Sequence, residues 1–355
     1  MELTILAQDA INLLEELIST PSLSRQEAEA ATLIEHKWKE WGVEYKRQGN
    51  NLWAHNRFWQ EGKPVILLNS HIDTVKPAEG WETDPFTPTY KDGKLHGLGS
   101  NDAGGCLVSL MAAFRYFYNQ KDLPYNLIMA ATAEEEVSGL NGVASILPQL
   151  EPVDLAIVGE PTRMQMAIAE KGLLVIDGAA HGKAGHAARE EGDNALYKAV
   201  DDIQCLRNFQ FPLFSDLLGK VKLSVTQIEA GYQHNVVPDI CRFVIDVRTN
   251  EFYSNEEAFN VITGLLQSEC KARSFRLNSS HIPFDHPLVK RGQELGLSWF
   301  GSPTTSDQAI IRKTSMKIGP GDSARSHTAN EYILPEEIQS GITTYIQLLE
   351  NLKIK

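Results

Sequence analysis

Leu67-Leu68-Asn69-Ser70-His71-Ile72-Asp73-Thr74-Val75 is the stretch around which the chain is organised. The apolar, β-branched run from Pro64 to Leu68 reads as a buried strand of an α/β sheet, and it ends in an imidazole and a carboxylate two residues apart. Open α/β sheets bind their ligands in the crevice outside the carboxyl ends of the strands, so His71 and Asp73 arrive where chemistry is done. His71 can give one ring nitrogen to a metal, while Asp73 accepts a hydrogen bond from the other nitrogen and fixes the tautomer. A metal needs more ligands than one.

The same construction recurs downstream. Asn126 to Thr132 is a second strand-like run and leads into Glu134-Glu135-Glu136; three adjacent carboxylates repel one another unless they face water or a cation. Neighbouring side chains can point to different places, so one can bind metal while the next handles protons. Val153 to Val158 is a third such strand and ends in Gly159-Glu160-Pro161-Thr162. Between the first two lies His96-Gly97-Leu98-Gly99-Ser100-Asn101-Asp102-Ala103-Gly104-Gly105-Cys106, whose glycines permit an unusual backbone path at the start of an apolar helix, Leu107 to Tyr118. It lacks the spaced-glycine fingerprint of a dinucleotide loop. Late in the chain, the loop Gly319-Pro320-Gly321-Asp322-Ser323-Ala324-Arg325-Ser326-His327 supplies another imidazole.

The whole chain narrows the function classes. Its 355 residues allow two or three domains. A net charge of -13 argues against a nucleic-acid or anionic-membrane partner, both of which reward a basic face. No run approaches about 18 apolar residues, and the polar, acidic start after Met1 has neither the basic nor the apolar part of a signal peptide. Cys106, Cys205, Cys241 and Cys270 lie far apart without pairing motifs, which fits a cytoplasmic protein with reduced thiols.

Around the strands, residues 5 to 19 and a segment opened by Ser22, Ser24 and Glu27 toward Trp41 read as helices. Tyr45 to His55 reads as a strand pair turning at Gly49-Asn50-Asn51, and Asp92-Gly93 as the tip of another hairpin. The pattern changes at Lys171-Gly172. Residues 173 to 180 alternate as a strand, and the loop His181-Gly182-Lys183-Ala184-Gly185-His186-Ala187-Ala188-Arg189 leads to a helix over Asn194 to Asn208. Leu223 to Ile228 and Val237 to Arg248 read as strands, Asn255 to Cys270 as a helix and Ala272 to Leu277 as a last strand. This order predicts a small α+β domain inserted into a larger one. Leu288 to Leu295 then forms a helix, Ser306 opens another, Ser315 to Ile318 is a short strand, and Leu334 to Leu349 closes the chain as an amphipathic helix with Pro335 in its first turn.

Taken in order, His71-x-Asp73, the glycine-flanked Asp102, Glu135-Glu136, Gly159-Glu160-Pro161 and the late His327 resemble the di-zinc aminoacylase and deacetylase family of metallopeptidases across essentially the whole chain. The resemblance implies an α/β catalytic domain with a mixed, mostly parallel sheet, over residues 1–172 and 285–355, and an inserted lid and dimerisation domain over 173–284. It implies two zinc ions, His71 and Glu160 completing one, Glu136 and His327 the other, and Asp102 bridging them. Glu135 would be the general base and Asp73 the partner of His71. His186 resembles the lid histidine that in family dimers reaches the neighbouring subunit's site, which implies a homodimer. Asn235 and Arg248 resemble substrate-contacting lid positions. Two departures stand out: the bridging motif of the family commonly continues Asp-x-Lys-Gly, whereas this chain has Asp102-Ala103-Gly104-Gly105, and Glu134 stands where Asp is common.

Mixed nitrogen and oxygen ligands suit Zn²⁺, with Co²⁺ or Mn²⁺ as substitutes. Such a centre implies hydrolysis of an amide, with Glu135 moving the proton and His186 donating to the oxyanion. The loop around Gly321 looks more like the acetylornithine deacetylase branch, with Gly321 among the substrate contacts. The expected substrate is therefore an Nα-acetyl- or Nα-succinyl-ornithine, in arginine biosynthesis. The alternatives are acyl-citrulline, acyl-lysine or succinyl-diaminopimelate, a dipeptidase, or a metal-binding scaffold without activity.

Overall fold

The structure, a computed structural model, describes residues 2–150 and 152–354. The chain divides into two compact units, the first comprising residues 1–168, 282–300 and 306–355, the second residues 169–281 and 301–305.

The first unit is built on a mixed sheet whose strands run, in spatial order, Lys46–Gln48, Asn51–His55, Asn126–Thr132, Val65–His71, Leu155–Val158, Ser315–Lys317 and Met166–Glu170. The middle of this order is parallel: Val65–His71 has Asn126–Thr132 on one side and Leu155–Val158 on the other, and Ser315–Lys317 follows in the same direction. The flanking pairs are antiparallel. Every residue of Val65–His71 is buried, as is every residue of Asn126–Thr132, because a central parallel strand is covered on both faces. That is why these strands read as continuous apolar runs without alternation. Burial of Ile66, Leu67 and Leu68, each fully inaccessible, stabilises the strand by roughly 1.5–3 kcal/mol per side chain.

One face of the sheet is covered by the helices Leu3–Ile18, Gly105–Tyr118 and Pro335–Leu349, which also pack on one another. On the other, Trp53, Val65, Leu67, Ile128, Ala130, Ala156 and Val158 form a second apolar layer under the short helices Val143–Ile146 and Gln308–Ile311. A small sheet of Thr89–Lys91, Lys94–His96 and Tyr332–Ile333 ties the hairpin at Asp92-Gly93 to the segment after His327.

The second unit is an antiparallel sheet in the order Lys222–Ala230, Ile240–Arg248, Leu174–His181, Glu269–Ala272, with the helices Ala195–Asn208 and Asn255–Thr263 on one face. Its strands alternate because one face alone is covered: Leu174, Ile176 and Ala180 point into the core, with Phe243, Ile245 and Val247 beside them. Asn194 caps the first helix and a reciprocal Ser254–Glu257 capping box opens the second.

Three expectations change here. The helix expected over Asn255 to Cys270 ends at Thr263, since Gly264 follows as its cap. The last strand is Glu269–Ala272, paired with Leu174–His181, instead of Ala272 to Leu277. The strand expected from Val237 is split into Val236–Val237 and Ile240–Arg248, because Pro238 has no N–H to give to a ladder. Met166–Glu170 forms an additional strand whose two alanines weaken its pattern. Among the described residues, no helix is long and apolar enough to cross a membrane.

Candidate active site

The strand Val65–His71 ends on His71 itself, and the Cα partner of His71 is Thr132, the last residue of the neighbouring strand. The segment that leaves Thr132 therefore begins beside His71, which brings Glu134, Glu135 and Glu136 to the same end of the sheet. Asn69 is paired with Val158, the last residue of the strand on the other side, so Glu160 stands two residues beyond that strand's end.

After Thr132 the backbone belongs to neither strand nor helix, and its donors are met by side chains from distant elements. Ala133 N–H donates to Asn51 Oδ1 at 2.9 Å and Glu134 N–H to Glu27 Oε1 at 3.3 Å. Glu135 and Glu136 N–H donate to the two Asp73 carboxylate oxygens at 3.0 and 3.2 Å. The Glu134 carboxylate accepts from Asn141 Nδ2 at 2.9 Å, so Glu134 is engaged away from the pair that follows it.

His71 Nδ1 lies 2.8 Å from the backbone carbonyl of Asp73 and 3.5 Å from its carboxylate. The expected orienting contact is thus made by the carbonyl, because the carboxylate is already taken up by Ser24 Oγ at 2.7 Å and by the Glu135–Glu136 turn. His71 Nε2 faces Asp102 Oδ1 at 3.3 Å and Glu160 Oε1 at 3.8 Å. The other Asp102 oxygen lies 3.6 Å from His327 Nε2, which sits 3.0 Å from Glu136 Oε2. The two oxygens of one carboxylate therefore face two different imidazoles. Two ligand sets have their donor atoms within 4.8 Å of one another, His71 with Asp102 and Glu136, and His71 with Glu135 and Glu160.

Charge at this cluster is unbalanced in a telling way. Burial, reinforced by the Glu160 charge, raises Glu135 well above the ordinary carboxylate range. Burial and Asp102 push Glu160 up to about 8, and a hydrogen bond to Glu136 lifts His327 to about 9. His71 is also raised well above its ordinary value, since its bonds to Asp102 and Asp73 outweigh the opposing effect of burial. Protons gather here because negative charge is crowded away from water, and divalent cations would take their place. Imidazole nitrogens and carboxylate oxygens in this mixture fit zinc, cobalt or manganese.

The first unit brings together His71, Asp73, Asp102, Glu135, Glu136, Glu160 and His327. His186, Asn235 and Arg248 belong to the second unit. There His186 Nδ1 accepts the Ala188 N–H at 3.1 Å, which leaves Nε2 to carry the proton of a neutral ring. Asn235 has its Oδ1 buried without a partner. Arg248 is bound edge-on to Asp246 through Nε and Nη2 at 2.8 and 3.1 Å. Gly321 has φ +83°, and a Cβ there would meet Asn101 Oδ1 at 2.4 Å, so the backbone itself demands glycine.

Sequence reasoning missed two buried carboxylates. Asp307 accepts from Asn69 Nδ2 at 2.9 Å and Thr132 Oγ1 at 3.1 Å, joining the two strands that end at the site. Glu331 accepts the backbone N–H groups of Gly99, Asn101 and Asp102. Neither carries a local signal, because each partner is supplied by a distant segment.

A mixed sheet with imidazoles and carboxylates converging at its strand ends makes a site fit for divalent metal ions, and the family match places it among metal-dependent hydrolases. The chain belongs to peptidase family M20/M25/M40, whose model matches residues 67–351. It is 26% identical over 368 residues to the succinyl-diaminopimelate desuccinylase of Xylella fastidiosa (strain 9a5c), covering 95% of this chain and 97% of that one. It is 27% identical over 370 residues to the enzyme of the same name from Stenotrophomonas maltophilia (strain K279a), covering 96% and 98%. In fold it resembles the Bacillus subtilis YXEP protein, described as a dinuclear metal-binding peptidase, with a TM-score of 0.72 at 17% identity over 98% of each chain.

Proposed function

We propose that this chain hydrolyses the amide bond of an N-succinyl amino acid, releasing succinate and the free amine, with N-succinyl-diaminopimelate as the foremost substrate. The hydrolytic part of this reading is carried by the geometry of Asp102, whose two oxygens face His71 and His327 respectively. The substrate is supported by the near-full-length likeness to the Xylella and Stenotrophomonas desuccinylases. Acyl-ornithine, placed first from the sequence, yields to the alternative. The loop that favoured it is explained without a substrate: Gly321 meets a backbone demand, while Asp322 caps the turn Ser323–Arg325 and pairs with Arg163.

In this reading His71 and Glu160 would hold one ion, Glu136 and His327 the other, and Asp102 would serve both. Bound divalent ions supply Lewis acidity for the scissile carbonyl and acidify water. Glu135, kept out of bulk water with its proton affinity raised, removes a proton from the attacking water and returns it to the amide nitrogen as the C–N bond breaks. The products are a carboxylate and an amine. Asp73 holds the Glu135–Glu136 turn by its two backbone donors, so the base and its neighbour stay fixed relative to His71. His186, with Nε2–H as donor, is the proposed oxyanion partner. Arg248 and Asn235 are the proposed contacts for the charged ends of the substrate, Arg248 through Nη1, which Asp246 leaves unused.

The decisive experiment is amine release from matched N-succinyl and N-acetyl derivatives of diaminopimelate, ornithine, citrulline and lysine, after chelation and re-addition of zinc or cobalt. Metal-dependent turnover highest on succinyl-diaminopimelate is the expected outcome. Preference for an acetyl series would overturn the acyl assignment, and preference for succinyl-ornithine or succinyl-citrulline would retain it while replacing the amine.

A further inference from the structure

We infer that Glu331 is a positioning residue of the hydrolytic site, the clamp that sets where the shared carboxylate of Asp102 stands. The inference rests on the reading of Asp102 as a ligand to two ions. Asp102 leaves no regular element that could hold it. Gly99, with φ +74°, turns the chain away from the hairpin, and the helix Gly105–Tyr118 starts only after Gly104. Between them, the N–H groups of Asn101 and Asp102 both reach Glu331 Oε1 at 2.9 Å, and the Gly99 N–H reaches Oε2 at 3.3 Å. Three donors of one loop thus converge on one buried carboxylate.

Glu331 is itself anchored. Its backbone carbonyl accepts the Gly97 N–H at 3.1 Å, and the strand Tyr332–Ile333 that follows pairs with Leu95–His96. The clamp therefore refers the Asp102 loop to a small sheet and not to solvent. Its reach extends to the second imidazole. Asn101, held by Glu331 through its backbone, uses its side chain on the next loop: Oδ1 accepts the Asp322 N–H at 2.9 Å and Nδ2 donates to the Asp322 carbonyl at 3.1 Å. That loop ends at His327. One carboxylate thus constrains the shared ligand directly and the His327 loop through one intermediary, as Asp73 constrains Glu135 and Glu136. Two carboxylates, Asp73 and Glu331, thus hold the two irregular segments that carry Asp102 and Glu136.

The bond pattern distinguishes positioning from charge. In Glu331→Gln the amide oxygen can keep both short bonds, to Asn101 and Asp102, and sacrifice the longer one to Gly99. Glu331→Ala loses all three. The experiment measures zinc and cobalt affinity and stoichiometry of the purified full-length protein by chelator competition, the magnetic coupling between two bound cobalt ions, kcat and KM on the best panel substrate, and the melting temperature of each variant. We expect Glu331→Ala to weaken at least one ion by about 10–100-fold and to reduce the cobalt–cobalt coupling at temperatures where the protein is folded. Its kcat should fall while KM changes little, and Glu331→Gln should recover most of each quantity. Equal losses in the two variants would overturn positioning in favour of charge. Unchanged metal affinity and coupling in a folded Glu331→Ala would reduce Glu331 to a structural residue. Wild-type protein that holds fewer than two ions would instead overturn the two-ion reading itself, and this inference with it, on the control alone.

Discussion

Asp73 has one task in the sequence reading, to orient His71 through its carboxylate, and divides two between backbone and side chain in the structure. Its carbonyl orients His71, while its carboxylate holds the turn that presents Glu135 and Glu136. The residue was legible because it stands two places after a strand-terminal histidine, but the task of its carboxylate was not, since the donors it serves lie 62 and 63 residues away. Glu331 and Asp307 were illegible for the same reason: accepting a remote N–H, amide or hydroxyl leaves no periodicity or spacing to read. The convergence of His71, Glu135, Glu136 and Glu160 was legible because titratable groups clustered at the ends of largely apolar strands are improbable without a task. At this scale Glu135→Gln is the sharpest test of the proton-transfer role. It should lower kcat by about 10²–10⁴-fold with both ions still bound, checked by steady-state kinetics beside metal analysis. Full activity with full metal content would end that assignment.

The elements follow from what each strand must bury. Runs without alternation, such as Val65–His71 and Asn126–Thr132, are central and parallel, and their ends were legible because polar residues replace apolar ones there while the chain is still buried. Errors cluster in the second unit, where apolar residues continue beyond the helix. Leu265 and Leu266 prolong the helical spacing past Gly264, although Leu266 packs on the core from outside the helix. Glycines at element junctions are the least forgiving positions. A Cβ on Gly104 would stand 2.5 Å from the Gly99 carbonyl oxygen and 2.6 Å from Leu14 Cδ1, so backbone would have to move. Gly104→Ala should cost about 1–3 kcal/mol in denaturant unfolding and weaken metal binding, because the displaced loop carries Asp102. A variant with wild-type stability and metal content would show that the bend yields easily.

Across the molecule, the raised proton affinities make stability in chelator a function of pH with a definite direction. Glu160 rises from 4.5 to about 8 on folding, so between those values the folded chain keeps a proton that the unfolded chain has released, and stability falls as pH climbs through the interval. His327 rises from 6.5 to about 9; its contribution is complete below its ordinary value and disappears as pH passes the folded one. Both act in the same sense. The metal-stripped protein should therefore melt at a lower temperature at about pH 8.5 than at about pH 5.5, and added zinc or cobalt should restore more at the higher pH. Calorimetry in chelator that showed a flat or rising trend would refute the crowded-carboxylate account. The division of the first unit into separated pieces has a further bearing on how the protein is made. His327 and Glu136 lie 191 residues apart with the second unit between them. At about 5–20 residues per second of synthesis, Glu136 waits roughly 10–40 s for His327 to be made. In the proposed two-ion reading the nascent chain would meanwhile lack one imidazole, and a second ion could be held by Glu136 and His327 only once the second unit between them has been made.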